Sequence, residues 1–233
     1  MILKRLSIVL AGLLMANAST VWAGDSATFV NLGFSADGNY YMFSQFGVRT
    51  DSLRPWADLF VVDVGRNSFV PDGRISYTHE RPIVAGQNGA GAMHSLIARN
   101  AALSERHGVR FPNQGQPLYI ALAGDPALAN ETINFRDFQS GFSYVASLAE
   151  TVEGSGSSLR SSFRINLTSN GPDGRTRAFT VGTSIWRPGI LSYRIRQVLI
   201  SPTGNSMIFV VEMRQASGDT HNIRYMVEAV RLF

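Results

Sequence analysis

The chain contains no cysteine. That excludes disulfides, thiolate nucleophiles, cysteine-ligated zinc and the lipidated cysteine of a lipoprotein. In an oxidising compartment its stability must come from the hydrophobic core, and 233 residues are enough to bury one. Lysine is almost absent, Lys4 being the only one, so the cations are arginines interspersed with acids. No basic stripe results, which speaks against a nucleic-acid partner. The four histidines, His79, His94, His107 and His221, have no second His or acid at ligand spacing, so no metal site is expected. No Gly-x-Ser-x-Gly elbow is present, since Gly141-Phe-Ser-Tyr-Val145 lacks the closing glycine. A Ser/His/Asp set assembled from distant residues stays open, because triads are spatial. No cofactor fingerprint is found. Beyond the N-terminus no apolar run approaches 18 residues, so no membrane-spanning helix is expected after a leader is removed.

The leader itself is readable. Lys4 and Arg5 form a positive n-region, Leu6 to Met15 an apolar stretch too short to span a bilayer, and Val21-Trp22-Ala23 a small-residue cleavage site. Residues 1–23 are therefore read as a signal peptide and 24–233 as one mainly-β domain, exported to the periplasm or beyond. Loss of Lys4 and Arg5 lowers the formal charge of +4 by two.

The strongest local signal is Asp37-Gly38, a turn dipeptide between the apolar runs ending at Phe34 and starting at Tyr40. A further run, Asp58 to Val64, follows. The pattern returns near the C-terminus at an offset of 166 residues: Ser35 falls on Ser201, Gly38 on Gly204, Asn39 on Asn205, Phe43 on Phe209, Val61 on Val227 and Val64 on Val230. Segments 31–64 and 197–230 are thus expected to be repeated blade-like units of short strands. The residues singled out for turns and core are Asp37, Gly38, Phe43, Trp56, Asp63, Gly204 and Phe209. Trp56, beside Pro55, is expected to cover an edge of the first unit, and loop 47–54 to be a rim loop.

Ser35-Ala-Asp-Gly-Asn-Tyr-Tyr-Met-Phe43 followed by Asp58-Leu-Phe-Val-Val-Asp63 resembles the blade of TolB-type β-propellers. The second copy keeps Ser201-Pro202 and has Thr203 where that motif has Asp. The whole chain is similar to a family of uncharacterised predicted secreted bacterial proteins. The resemblance implies a location and a fold, and brings no catalytic residues with it.

Residues 75–117 break the β pattern. Gly86 to Gly91 is a glycine-rich loop ahead of a helix over about Ala92–Arg106, whose Met93, Leu96 and Ile97 make an apolar stripe and whose C-cap is Gly108. The loop has no Gly-Lys-Ser/Thr ending, so it is read as a connection. From Leu118 on, the sequence reads as a meander of eight strands ending at Arg231. Pro71–Arg74 and the same tetrapeptide at Pro172–Arg175 read as turns. Glu150, Glu153, Arg160 and Arg164 read as cross-strand charges on a solvated face. The expected class is mainly β: an antiparallel meander of blade-like sheets, as an incomplete or small propeller or a β-sandwich, with one helix inserted in the middle.

Two functions are compatible with this reading. The first is a non-catalytic binding or scaffold module of the cell envelope, with an envelope protein or a glycan as partner. The second is an envelope hydrolase or carbohydrate-active enzyme with acids such as Asp51, Asp58 or Glu80 in a cleft. Paired carboxylates in a pocket would favour the enzyme; an aromatic or apolar patch without paired acids would favour the binding module. Asp51, Asp58 and Asp63 lie around one unit, but no Asp-x-Asp-x-Asp-Gly loop is present, so calcium is not expected there.

Overall fold

Alternation decides the strands, and the continuous apolar stretches decide how they stack. Met207 to Val211 is apolar at every position, so both faces of that strand need cover. The computed structural model describes residues 24–84, 86–122 and 130–233; the expected signal peptide lies outside them. The described elements are β1 (Thr28–Ser35), β2 (Tyr40–Val48), β3 (Pro55–Asp63), β4 (Ser68–Thr78), α1 (Ala90–Arg99), α2 (Ala101–Arg106), β5 (Val109–Arg110) and β6 (Gln116–Ile120). They continue with β7 (Thr132–Arg136), β8 (Ser143–Glu153), β9 (Arg160–Asn170), β10 (Thr176–Val181), β11 (Arg187–Pro188), β12 (Ile190–Ile200), β13 (Ser206–Ser217) and β14 (Thr220–Arg231). The class is mainly β and antiparallel, as expected, and among the described residues no sheet closes into a barrel.

Three sheets form. The first runs β4-β3-β2-β1-β5, the middle one β14-β13-β12-β6, and the third β10-β9-β8-β7 with β11 beside β9. The middle sheet carries the two cores between sheets. Met207, Phe209 and Val211 point to the third sheet, meeting Tyr144, Leu148, Phe163 and Ile165. Ile208 and Val210 point the other way, to Tyr41, Phe43, Phe60 and Val62 of the first sheet. The far face of the first sheet is covered by Ala92, Met93 and Leu96 of α1, the stripe expected from sequence. The start of the described chain is tied to the last strand by a parallel bridge between Ser26 and Ile223.

Three local expectations are corrected. The single helix is two, broken at Asn100 (φ −118°, ψ 23°). The Asn100 side-chain amide donates to the Leu96 carbonyl at 2.8 Å, and its backbone N–H takes the Ile97 carbonyl at 3.1 Å. Asparagine competes in this way with the helical ladder. Pro71–Arg74 is not a turn. It lies within β4 as a bulge, with Asp72 at φ 57°, between the pairs Val62↔Phe69 and Phe60↔Arg74. Proline has no N–H for the ladder, so a bulge is one of the few places a sheet admits it. Trp56 does not cover an edge: it sits on β3, paired on both sides, and is 3% exposed.

Candidate functional site

A cleft of about 520 Å³ opens where the three sheets meet. Its first wall is a row of three stacked rings on the first sheet. Phe43 and Phe60 have centroids 4.6 Å apart and Phe60 and Phe69 5.4 Å, with interplanar angles of 17° and 29°. Exposure rises along the row, from 0% at Phe43 to 7% at Phe60 and 44% at Phe69. The row runs from core to surface because residues paired across an antiparallel ladder share a face, as Phe43↔Phe60 and Val62↔Phe69 do. The bulge at Pro71–Gly73 then brings Arg74 opposite Phe60, at the open end of the same wall.

The middle sheet lines the cleft with Tyr225 on its first-sheet face and with Met213 and Met226, which pack toward the third sheet, and Arg187-Pro188 of β11 closes one side. The floor is polar. Gln45 accepts from the Tyr225 backbone N–H at 2.8 Å and donates to Asp58 Oδ2 at 3.0 Å, so one buried amide stitches the first sheet to the middle one. Burial and the nearby Glu212 carboxylate, 3.5 Å from its hydroxyl, raise the Tyr225 pKa.

The arginines lining the cleft differ in how far they are committed. Arg224 holds Asp25 at 3.3 Å and lies 4.3 Å over the Trp56 ring; burial lowers its pKa and Asp25 works against that. Arg187 donates to the Ile185 carbonyl at 3.1 Å and faces Glu228 at 3.5 Å. Glu228 is 4% exposed and receives the Asn67 amide at 2.5 Å, while Asn67 Oδ1 accepts from the Ala229 N–H at 2.7 Å. Asn67, Glu228 and Arg187 thus pin all three sheets together beside the cleft. Burial raises the Glu228 pKa, against the opposing effects of Asn67 and Arg187. Arg74 is exposed and has no hydrogen-bond or ion-pair partner among the described residues.

The residues singled out from sequence fall into three groups. Phe43 lines the cleft. Trp56 supports it indirectly, under Arg224. Asp37, Gly38, Gly204 and Asp63 sit at turns away from it. Asp37 accepts from Ser35 Oγ at 2.6 Å and from the Asn39 N–H at 3.0 Å, contacts that lower its pKa. Gly38 and Gly204 have φ 70° and 72°, and each donates its N–H to the serine three residues before it, at 3.0 and 2.9 Å. The two turns touch: a Cβ on Gly38 would lie 2.8 Å from Thr203 Oγ1. Asp63 caps the next turn, accepting from the Arg66 N–H at 3.0 Å. Phe209 is fully buried between the middle and third sheets, whereas Phe43 lies between the first and middle ones.

The ungapped offset of 166 fits only the first part of each segment. Asn39 accepts from Val64 and Asn205 from Leu232, and those two donors are 168 residues apart. A slip of two keeps every side chain on its face, so the shared valines are not equivalent by pairing although their pattern survives.

The acids considered from sequence do not assemble. Asp58 faces the cleft, Asp51 is in an exposed turn, and Glu80 lies in a separate surface depression with His79, Arg81 and Arg99. Among the described residues no three His, Asp or Glu come close enough to hold a metal. Glu150 is not part of a solvated charge row: it accepts from the Tyr193 backbone N–H at 3.0 Å and joins two sheets. Glu153 and Arg160 do pair, at 2.7 Å. Sequence reasoning missed Phe69, Arg74, Arg187, Met213 and Met226. Arg74 and Phe69 had one usable signal, the proline inside a strand pattern that marks a bulge. The two methionines had none.

Among the described residues no helix is long and apolar enough to cross a membrane. A family model described as "Predicted secreted protein (DUF2259)" matches residues 42–231. No curated protein and no solved structure matches the chain.

Proposed function

The chain belongs to the DUF2259 family of predicted secreted proteins, and on that premise we propose that it acts in the bacterial cell envelope as a non-catalytic binding module. The cleft between the three sheets is the binding site in this reading, and an envelope component is the partner. The observation that carries it is the lining: apolar and aromatic side chains with, among the described residues, a single carboxylate, Asp58, which already accepts from Gln45. Glycoside hydrolysis by the usual route needs two carboxylates flanking the bond. A mostly apolar concavity with a few placed polar groups is instead the ordinary form of a ligand pocket. The turn segments at Gly38 and Gly204 serve as scaffold in this account, and their likeness to propeller blades is a likeness of local turns.

The test is capture from native envelope extract with the secreted protein and with Phe69→Asp, whose side chain is already partly exposed. Mass spectrometry of what is retained should show a component held by the wild type and lost from the variant. Equal retention by both removes the cleft from the reading. Turnover of an envelope glycan by the wild type that disappears in Asp58→Asn replaces the binding module with the hydrolase.

A further inference from the structure

We propose that the cleft takes a single-chain anionic amphiphile, an acyl carboxylate, with the chain over Phe69 and the edge of Phe60 and the carboxylate at Arg74; this rests on the cleft being the binding site. Four observations carry it. The stacked rings reach solvent at Phe60, 7% exposed, and Phe69, 44% exposed, with Phe43 buried behind them as a rigid backing, which suits an apolar group entering from solvent. The lining on the third-sheet side includes Met213 and Met226, unbranched side chains that repack around irregular apolar shapes. Charge then selects the head group. Arg224 is committed to Asp25 and Arg187 to Glu228, whereas Arg74 at the open end has no partner within the described chain. A guanidinium presents a fork that matches a carboxylate bidentately. Finally, Asp58 on the floor would repel a second anion placed deep in the cleft, so the head group belongs at the lip and the chain inside. The volume of about 520 Å³ is in the range of sites for one small ligand.

Displacement of bound 1-anilinonaphthalene-8-sulfonate tests this. The competitors are hexadecanoate, hexadecanol and hexadecyltrimethylammonium, the two ions kept below their micellar concentrations and the alcohol below its solubility limit. Thermal melts establish that every variant is folded. Wild type should release the dye at roughly tenfold lower hexadecanoate than hexadecanol, as expected if one charge-assisted contact contributes about 1.4 kcal/mol. Arg74→Ala should abolish that preference and Arg74→Lys should retain part of it. Phe69→Ala should weaken all apolar competitors alike. Equal potency of the alcohol or the ammonium in wild type overturns the anionic head group, as does a preference that survives Arg74→Ala. If those competitors still depend on Phe69, the cleft stands as the binding site and only its ligand class is wrong. If none of the three binds, yet an envelope component is captured in a Phe69-dependent way, the amphiphile is overturned alone. If neither holds, both readings fall.

Discussion

Placing an alanine at Gly38 and at Gly204 separates local strain from contact between the sheets. Both glycines have the left-handed φ, 70° and 72°, where a Cβ is penalised by about 1–2 kcal/mol. At Gly204 nothing lies within 4 Å of the added carbon, so Gly204→Ala should cost that penalty alone. At Gly38 the carbon would sit 2.8 Å from Thr203 Oγ1, 3.3 Å from Asn205 Oδ1 and 3.4 Å from Ser201 Cβ. Thr203 cannot swing away freely, because its hydroxyl donates to Asn205 at 2.7 Å and lies 3.1 Å from Ser201 Oγ. Losing one such hydrogen bond adds about 1 kcal/mol, so Gly38→Ala should cost about 2–3 kcal/mol. For a domain of this size that excess corresponds to a further fall of about 2–4 °C in Tm. The assay is urea unfolding of both variants, repeated in a Thr203→Ala background. Removing the obstructing hydroxyl should bring the cost of Gly38→Ala down to that of Gly204→Ala, a coupling of about 1 kcal/mol in the double-mutant cycle. Equal costs for the two alanines in the wild-type background, or no coupling to Thr203, would show that the turns do not pack on each other and would refute the reasoning.

Phe43→Ala and Phe209→Ala should each cost about 3–5 kcal/mol by chemical denaturation, because each ring is fully buried between a different pair of sheets; a loss below 1 kcal/mol at either would place that ring outside the core. Leu96→Asp should cost several kcal/mol or prevent folding, since it leaves a charge among Met93, Leu103 and the first sheet, and an unchanged melting midpoint would make α1 peripheral. Glu228 predicts a pH dependence. Its folded pKa is raised above the ordinary 4.5, so the folded state keeps the proton where the unfolded chain has lost it. Stability relative to Glu228→Gln should therefore fall as pH rises above about 4.5 and level off once the buried carboxyl has ionised; a difference that is flat with pH, or that grows, contradicts this sign.

Much of the architecture is a property of local pattern. Alternation placed β6 to β10 and β12 to β14 within a few residues of where they lie, because each strand has one or two faces to bury and the pleat has a period of two; the two-residue β11 was not legible. The turns at Gly38, Gly174 and Gly204 were legible because their positive φ values favour glycine. The helical stripe at Met93, Leu96 and Ile97 was likewise written in spacing. Boundaries failed where a side chain competed with the backbone, as at Asn100, or where the chain absorbed extra residues without leaving the sheet, as at Pro71–Gly73.

The tertiary structure alone decided which faces meet. An apolar run such as Met207–Val211 says that both sides must be covered and does not say by what. Phe43 and Phe209 look alike in sequence, yet one faces the middle sheet and the other the third. The cleft gathers side chains from Phe43 to Met226, and its character depends on register. The β4 bulge puts Arg74 across from Phe60, and the joining of three sheets occupies Arg187 and Arg224 while leaving Arg74 uncommitted. Contacts this distant in sequence are selected by the packing of whole sheets, so no local period records them.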